Sequence, residues 1–297
     1  MSTRVDERPG GQPSGAPSPG GAVLLEARGV TMRFGGLTAV NQVDMVVHEG
    51  EIMGLIGPNG AGKTTFFNCL TGLYKPTEGR VVLAGKEIPP RPGLVVKEGM
   101  ARTFQNIRLF GNMTALENVM VGRFCRTSAG PLTSIVRGPK YRREERETRE
   151  RAQELLEFVG LGGSTELLAR NLPYGDQRRL EIARALATDP KVVLLDEPTA
   201  GMNPRETEQA QELIFRIRDN GMAVVVIEHD MRFIFTLCDR VLCLVRGEAL
   251  VEGAPSVVQS DPRVIEAYIG SPDVDESDEE LDAEIGSELH TEREEGR

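Results

Sequence analysis

The sequence predicts an α/β fold. A mainly parallel sheet is covered by helices, an antiparallel β subdomain precedes it, and a helical subdomain is inserted within it. Three observations carry this. Two short all-apolar runs, VVLLD at 192–196 and AVVVI at 223–227, flank a helical stretch, ETEQAQELIFRIRDN. Strands apolar on both faces belong to parallel sheets buried between helix layers. Near the start, LLEARGVTMRF and VDMVV alternate apolar and polar residues, the period of antiparallel strands with one buried face. From residue 106 to about 170 the pattern changes. A Gly/Pro-punctuated segment, SAGPLTSIVRGPK, leads into YRREERETRERAQELLEFVG. That stretch keeps Ala152, Leu155, Leu156 and Val159 on one helix face and ends at Gly160, as a helix closed by glycine does.

With 297 residues, 39% of them hydrophobic, the chain has ample material for a core. No run approaches the ~20 apolar residues of a membrane span. The opening MSTRVDERPGGQPSGAPSPGG lacks the apolar region of a secretory signal and reads as a flexible leader over residues 1–22. Four scattered cysteines, Cys69, Cys125, Cys238 and Cys243, form no CxxC pair and read as reduced thiols. The net charge of −10 is uneven. From Ser271 to Arg297 the tail holds 12 of the 45 acids and 2 of the 35 bases, leaving 33 of each in the rest. Such a tail is expected to stay solvated. The neutral body argues against a nucleic-acid partner, whose binders carry a basic face.

The chemistry begins after the apolar run EIMGLIG. GPNGAGKTT follows it and opens a helix, KTTFFNCL, which Gly72 closes. Gly57, Gly62, Lys63 and Thr64 hold the defining places of GxxxxGK[ST], in strand–turn–helix context. Across Gly57, Pro58, Asn59, Gly60, Ala61, Gly62, Lys63, Thr64 and Thr65, glycines allow successive N–H groups to turn inward around phosphate oxygens. Lys63 neutralises phosphate charge, and the helix N-terminus adds positive potential. Thr64 supplies a hydroxyl for Mg²⁺.

Asp196 ends the 192–196 strand, where ligands gather in open α/β sheets. It is placed to hold Mg²⁺, while Glu197 points elsewhere and polarises a water. His229 follows AVVVIE at another strand end, in reach of a terminal phosphate. Gln105, in RTFQN, is a candidate for the metal or the attacking water. LPYGDQ at 172–177, ahead of RRLEIARAL, leaves two readings open: ordinary helix-start punctuation, or a helix N-terminus that holds an anion.

Together these pieces resemble the ATP-binding cassette (ABC) ATPases over roughly residues 23–255, with the helical subdomain at about 106–175. In order they look like that family's aromatic A-loop (Phe34), Walker A (57–65), Q-loop (Gln105), signature (172–177), Walker B (192–196), catalytic Glu197, D-loop (200–204) and switch His229. Inside the family, GLIGPNGAGKTTFFNCLTGLYKPTEG, RTFQNIRLFGNMTALENVMVG, LLDEPTAGMNP and VIEAYIG are similar to the ATP-binding subunits of branched-chain amino acid importers. VIEAYIG lies in a C-terminal extension, 256–270.

The resemblance implies a P-loop NTPase core that uses ATP and Mg²⁺, with Thr64, Gln105 and Asp196 at the metal. Phe34 stacks on adenine or belongs to the core. Tyr174, Gly175, Asp176 and Gln177 meet the γ-phosphate held by a second cassette. The implied partners are a non-identical second ATPase, two transmembrane permeases and, indirectly, a solute-binding protein, at the cytoplasmic side of the plasma membrane. Two departures stand out: Pro173 and Tyr174 in the signature, and Asn203 where the D-loop usually has aspartate. The lost hydroxyl at Pro173 would cost about 1.5–3 kcal/mol of contact to a charged group, which predicts two unequal ATP sites. A homodimeric lipid or lipopolysaccharide exporter ATPase is the alternative, and a non-transport cassette a more distant one. Arg137, Lys140, Arg142 and Arg143, followed by Glu144, Glu145 and Glu147, read as a solvated helix face.

Overall fold

The computed structural model describes residues 21–126 and 139–269. Most of the leader, Arg137 with the Lys140 side chain, and the acidic tail lie outside the described residues. The expected antiparallel strands are β1 (Val23–Phe34) and β2 (Leu37–His48), which pair as a hairpin from Val23↔His48 to Phe34↔Leu37. With β4 (Glu78–Leu83) and β5 (Lys86–Glu87) it forms a four-stranded sheet in the order β2-β1-β4-β5.

The second sheet contains β3 (Ile52–Ile56), β6 (Met100–Arg102), β7 (Val192–Asp196), β8 (Ala223–Ile227), β9 (Arg240–Val245) and β10 (Glu248–Gly253). Its order is β10-β9-β3-β8-β7-β6, parallel throughout except for β10. The all-apolar runs make sense here, because strand alternation divides them between two cores. Val193, Leu195, Val224 and Val226 join the helix-side core. Val192, Leu194, Val225 and Ile227 join the other, with Phe66, Phe67 and the buried residues of β1 and β2. Helix α1 (Lys63–Leu70) supplies those two phenylalanines, both fully buried and each contributing about 1.5–3 kcal/mol by burial.

A short α2 (Pro92–Glu98) precedes β6. The helical layer is α3 (Ala115–Arg123), α4 (Pro139–Phe158) and α5 (Tyr174–Leu186). Thr114 and Glu117 form a capping box that starts α3. Ala152, Leu155, Leu156 and Val159 are buried against Leu116, Val119, Leu180 and Ala183, the face the sequence marks out. On the opposite side, Arg143 pairs with Glu147 in solvent. Helices α6 (Pro204–Asp219), α7 (Met231–Leu237), α8 (Pro255–Ser260) and α9 (Pro262–Ile269) complete the structure. The last two place Val258 and Val264 in the helix-side core. Among the described residues, no helix is long and apolar enough to cross a membrane.

Candidate nucleotide site

The loop 57–65 runs from the end of β3 into α1. Its conformation is glycine-dependent at both ends. A Cβ on Gly57 would sit 2.2 Å from Leu244 O, and one on Gly62 (φ 90°) 2.4 Å from Ala39 O. The loop is thus pressed against β9 on one side and β2 on the other. Lys63 is 6% exposed; its Nζ donates to Gly57 O at 2.8 Å and Pro58 O at 3.0 Å. Thr64 is exposed in the first helical turn.

Asp196 is buried at the end of β7, with Oδ2 accepting from Arg102 Nη2 at 2.6 Å. Arg102 also donates to Asn68 Oδ1 at 2.6 Å and lies near the rings of Phe67 and Phe104, 5.4 and 5.5 Å from their centroids. Sequence reasoning missed this guanidinium. A basic residue at the end of a three-residue strand gives no signal until the strand order places it beside β7.

Glu197 departs from its neighbour as expected, helped by a left-handed backbone (φ 45°) and by its N–H donating to Ile227 O. It meets both other candidates. His229 Nε2 is 2.8 Å from Oε1, and Gln105 Nε2 donates to Oε2 at 3.1 Å. The His229 bond first, then its charge, the Gln105 bond and Lys63, outweigh burial and hold the Glu197 carboxyl below its ordinary range. The residue between, Glu228, is buried and accepts from Thr199 N at 2.8 Å, from the Thr199 hydroxyl and from His229 N. It ties the segment after β7 to His229 and was also missed.

Tyr174, Gly175, Asp176 and Gln177 form the first turn of α5, and their contacts lie outside the phosphate loop. Gln177 Nε2 donates to Leu172 O at 2.9 Å, and Asp176 pairs with Arg179. Tyr174, 45% exposed, packs on the D-loop, where a Cβ on Gly201 would lie 3.1 Å from its ring. Pro173 occupies the N-cap with no side-chain cap bond, so the hydroxyl missing from the sequence is missing from the helix end.

Arg178, 4% exposed, joins this turn to the Q-loop. It donates to Phe104 O at 2.8 Å, to Gln105 O and to the Tyr174 hydroxyl at 3.0 Å. Beside it, burial pushes the Glu181 carboxyl up, against the Arg108 N–H and the Arg184 and Arg178 charges. Asn203 caps α6 in a reciprocal box with Glu206. Phe34 is half-buried at the β1–β2 turn, edge-on to Tyr74 at 5.4 Å.

The candidate metal donors, the Thr64 hydroxyl, the Gln105 amide oxygen and the Asp196 carboxylate, are all oxygens. The Thr64 hydroxyl and the Asp196 carboxylate, one of whose oxygens is held by Arg102, fit Mg²⁺, which takes one or two carboxylates and completes its shell with phosphates and water. The ABC transporter family profile matches residues 40–200, more than half of the chain. The chain belongs to the ABC transporter family. A second profile, branched-chain amino acid ATP-binding cassette transporter, matches residues 250–274. The cassette is 46% identical over 249 residues to the high-affinity branched-chain amino acid transport ATP-binding protein BraF of Pseudomonas aeruginosa, covering 83% of this chain and 98% of that protein. Among solved structures it resembles an ABC transporter cassette in its ADP conformation (33% identity, TM-score 0.74, 84% of this chain and 100% of the other). It also resembles a dimeric cassette in a post-hydrolysis state with ADP and Pi (28%, TM-score 0.65, 78% and 99%). By family, then, this is an ABC-type ATPase with a nucleotide-binding fold.

Proposed function

We propose that the cassette hydrolyses ATP to drive an importer of branched-chain or related hydrophobic amino acids. In this reading it works at the cytoplasmic side of the plasma membrane. The observation that carries the hydrolytic part is the meeting of Glu197, His229 and Gln105 at the ends of β7 and β8. The cargo rests on the likeness to BraF and on the profile at 250–274.

In this mechanism the 57–65 amides and Lys63 hold the β- and γ-phosphates. Glu197 takes a proton from a water whose oxygen bonds to the γ-phosphorus, while the bond to the β–γ bridging oxygen breaks and ADP leaves. His229 and Gln105 hold the two oxygens of Glu197, so the base is oriented before substrate arrives. Phosphoryl transfer gains most from such positioning. Thr64, Asp196 and Gln105 would hold Mg²⁺, which would neutralise charge developing on the phosphate oxygens. Phe34, at the turn leading to β2, is the candidate for adenine stacking.

The first turn of α5 makes its contacts outside its own phosphate loop, which leaves it available as half of a site completed by a second cassette. Lacking the Pro173 hydroxyl, that half is the weaker one. The assembly therefore contains a second, non-identical cassette and two permeases, with a solute-binding protein outside. The test is affinity purification of the Glu197→Gln chain with ATP from native membranes, followed by mass identification. Recovery of a different cassette and two permeases is expected. Copies of this chain alone, or with an exporter's membrane subunit, would move the answer to a homodimeric exporter.

A further inference from the structure

We propose that Tyr268 is a positioning residue for the phosphate loop, and that through it the C-terminal extension sets nucleotide affinity. The inference rests on reading 57–65 as the phosphate loop. The Tyr268 hydroxyl accepts the Gly57 N–H at 2.7 Å, across 211 residues of sequence. Gly57 opens the loop and lies close against β9, where a Cβ would sit 2.2 Å from Leu244 O.

The Gly57 residue is held twice. Lys63 donates to its carbonyl at 2.8 Å and to the next one, of Pro58, at 3.0 Å; Tyr268 holds its N–H. These two clamps differ in fate. A phosphate entering the loop draws the Lys63 ammonium to itself, since a charged acceptor outcompetes neutral carbonyls. The bonds from Lys63 to the loop's entry are then the ones given up. The Tyr268 bond does not use Lys63 and remains. The extension thus supplies the tether that survives nucleotide binding.

The surroundings support a fixed tether. Tyr268 packs on the helix-side core, and Val264, one turn earlier, is 3% exposed within it. At the start of α9, Asp261 Oδ1 accepts from Arg263 N at 2.9 Å, setting the helix in place. Burial pushes the phenol well above its ordinary range, so it stays a neutral hydroxyl at any working pH. Phenylalanine would fill the same space and leave the Gly57 N–H without its acceptor.

The test compares the full chain with Tyr268→Phe and with Leu155→Ala, which opens core space in α4, outside the C-terminal extension. ADP binding with Mg²⁺ is followed by a fluorescent-nucleotide displacement assay, and thermal melting is recorded without nucleotide. For Tyr268→Phe the dissociation constant is expected to rise about 3- to 10-fold, because a loop entry without its tether has to be ordered when nucleotide binds. Leu155→Ala should melt earlier, yet keep its dissociation constant within about twofold of wild type. Unchanged affinity in Tyr268→Phe overturns the proposal, as does an equal loss in Leu155→Ala. Failure of the unmodified chain to bind ADP removes the phosphate-loop reading itself, a different result from wild-type binding that is indifferent to Tyr268.

Discussion

Replacing Arg102 by methionine tests the buried pair that organises the end of β7. The side chains of Arg102 and Asp196 are only 9% and 8% exposed, so solvent does little to screen their charges. Methionine keeps most of the volume between Phe67 and Phe104 but leaves the Asp196 carboxylate buried without its cation. Breaking one side of such a pair costs ~3–5 kcal/mol. Arg102 Nε has no partner in the structure, so the pair is not ideally satisfied and the expected loss sits near the lower end, ~3 kcal/mol. The ring contacts complicate a single measurement, because cation–π attraction adds ~0.5–2 kcal/mol of its own. A cycle with Asp196→Asn separates them. Chemical denaturation of both single variants and the double should give a coupling of ~1–3 kcal/mol, with the double variant less damaged than the sum. Arg102→Lys, keeping charge but not the fork that also reaches Asn68, should fall between. A loss under ~1 kcal/mol in Arg102→Met, or no coupling, would refute the reasoning.

Glu197→Gln should bind ATP as tightly as the parent while losing ~10²–10⁴ in hydrolysis rate; equilibrium binding and single-turnover kinetics check this, and loss of binding would contradict it. Asn203→Ala should cost ~1 kcal/mol through loss of the α6 cap, whereas Asn203→Asp caps equally well and should leave the melting midpoint in place. Any change in hydrolysis by that second variant then reports something other than stability. Burial pushes the thiols of Cys69 and Cys243 up to about 12 and about 11, and that of Cys238 higher still. At pH 8 their thiolate fractions are ~10⁻³ or below, so an alkylating reagent should modify half-buried Cys125 first. Mass mapping of labelled peptides would show it. Rapid native labelling of Cys69 would count against the packing of α1.

The parts legible from sequence share one property: their signal is local. VVLLD and AVVVI appear as strands over the same residues, because an all-apolar run has few places to go other than a sheet buried on both faces. The glycine-rich loop announces itself because steric demands act on each residue separately. Glu197 and His229 sit at strand ends, where strand order brings them together. Arg102, Glu228, Arg178 and Tyr268 are different. Each does its work across tens to hundreds of residues, and nothing in its neighbours marks it. Arg178 reads as one more basic residue in RRLEIARAL until α5 is packed beside the Q-loop. Tyr268 is one aromatic in VIEAYIG until α9 is folded against the end of β3.

Arg178 has a practical consequence. Its fork grips the main chain at Phe104 and Gln105 from within α5, so that helix and the segment whose Gln105 side chain holds Glu197 are cross-braced. Neither can be re-angled alone. A compound wedged under α5 would move the Gln105 backbone together with the helix. Through that brace, a load placed on one helix reaches the Glu197 carboxylate.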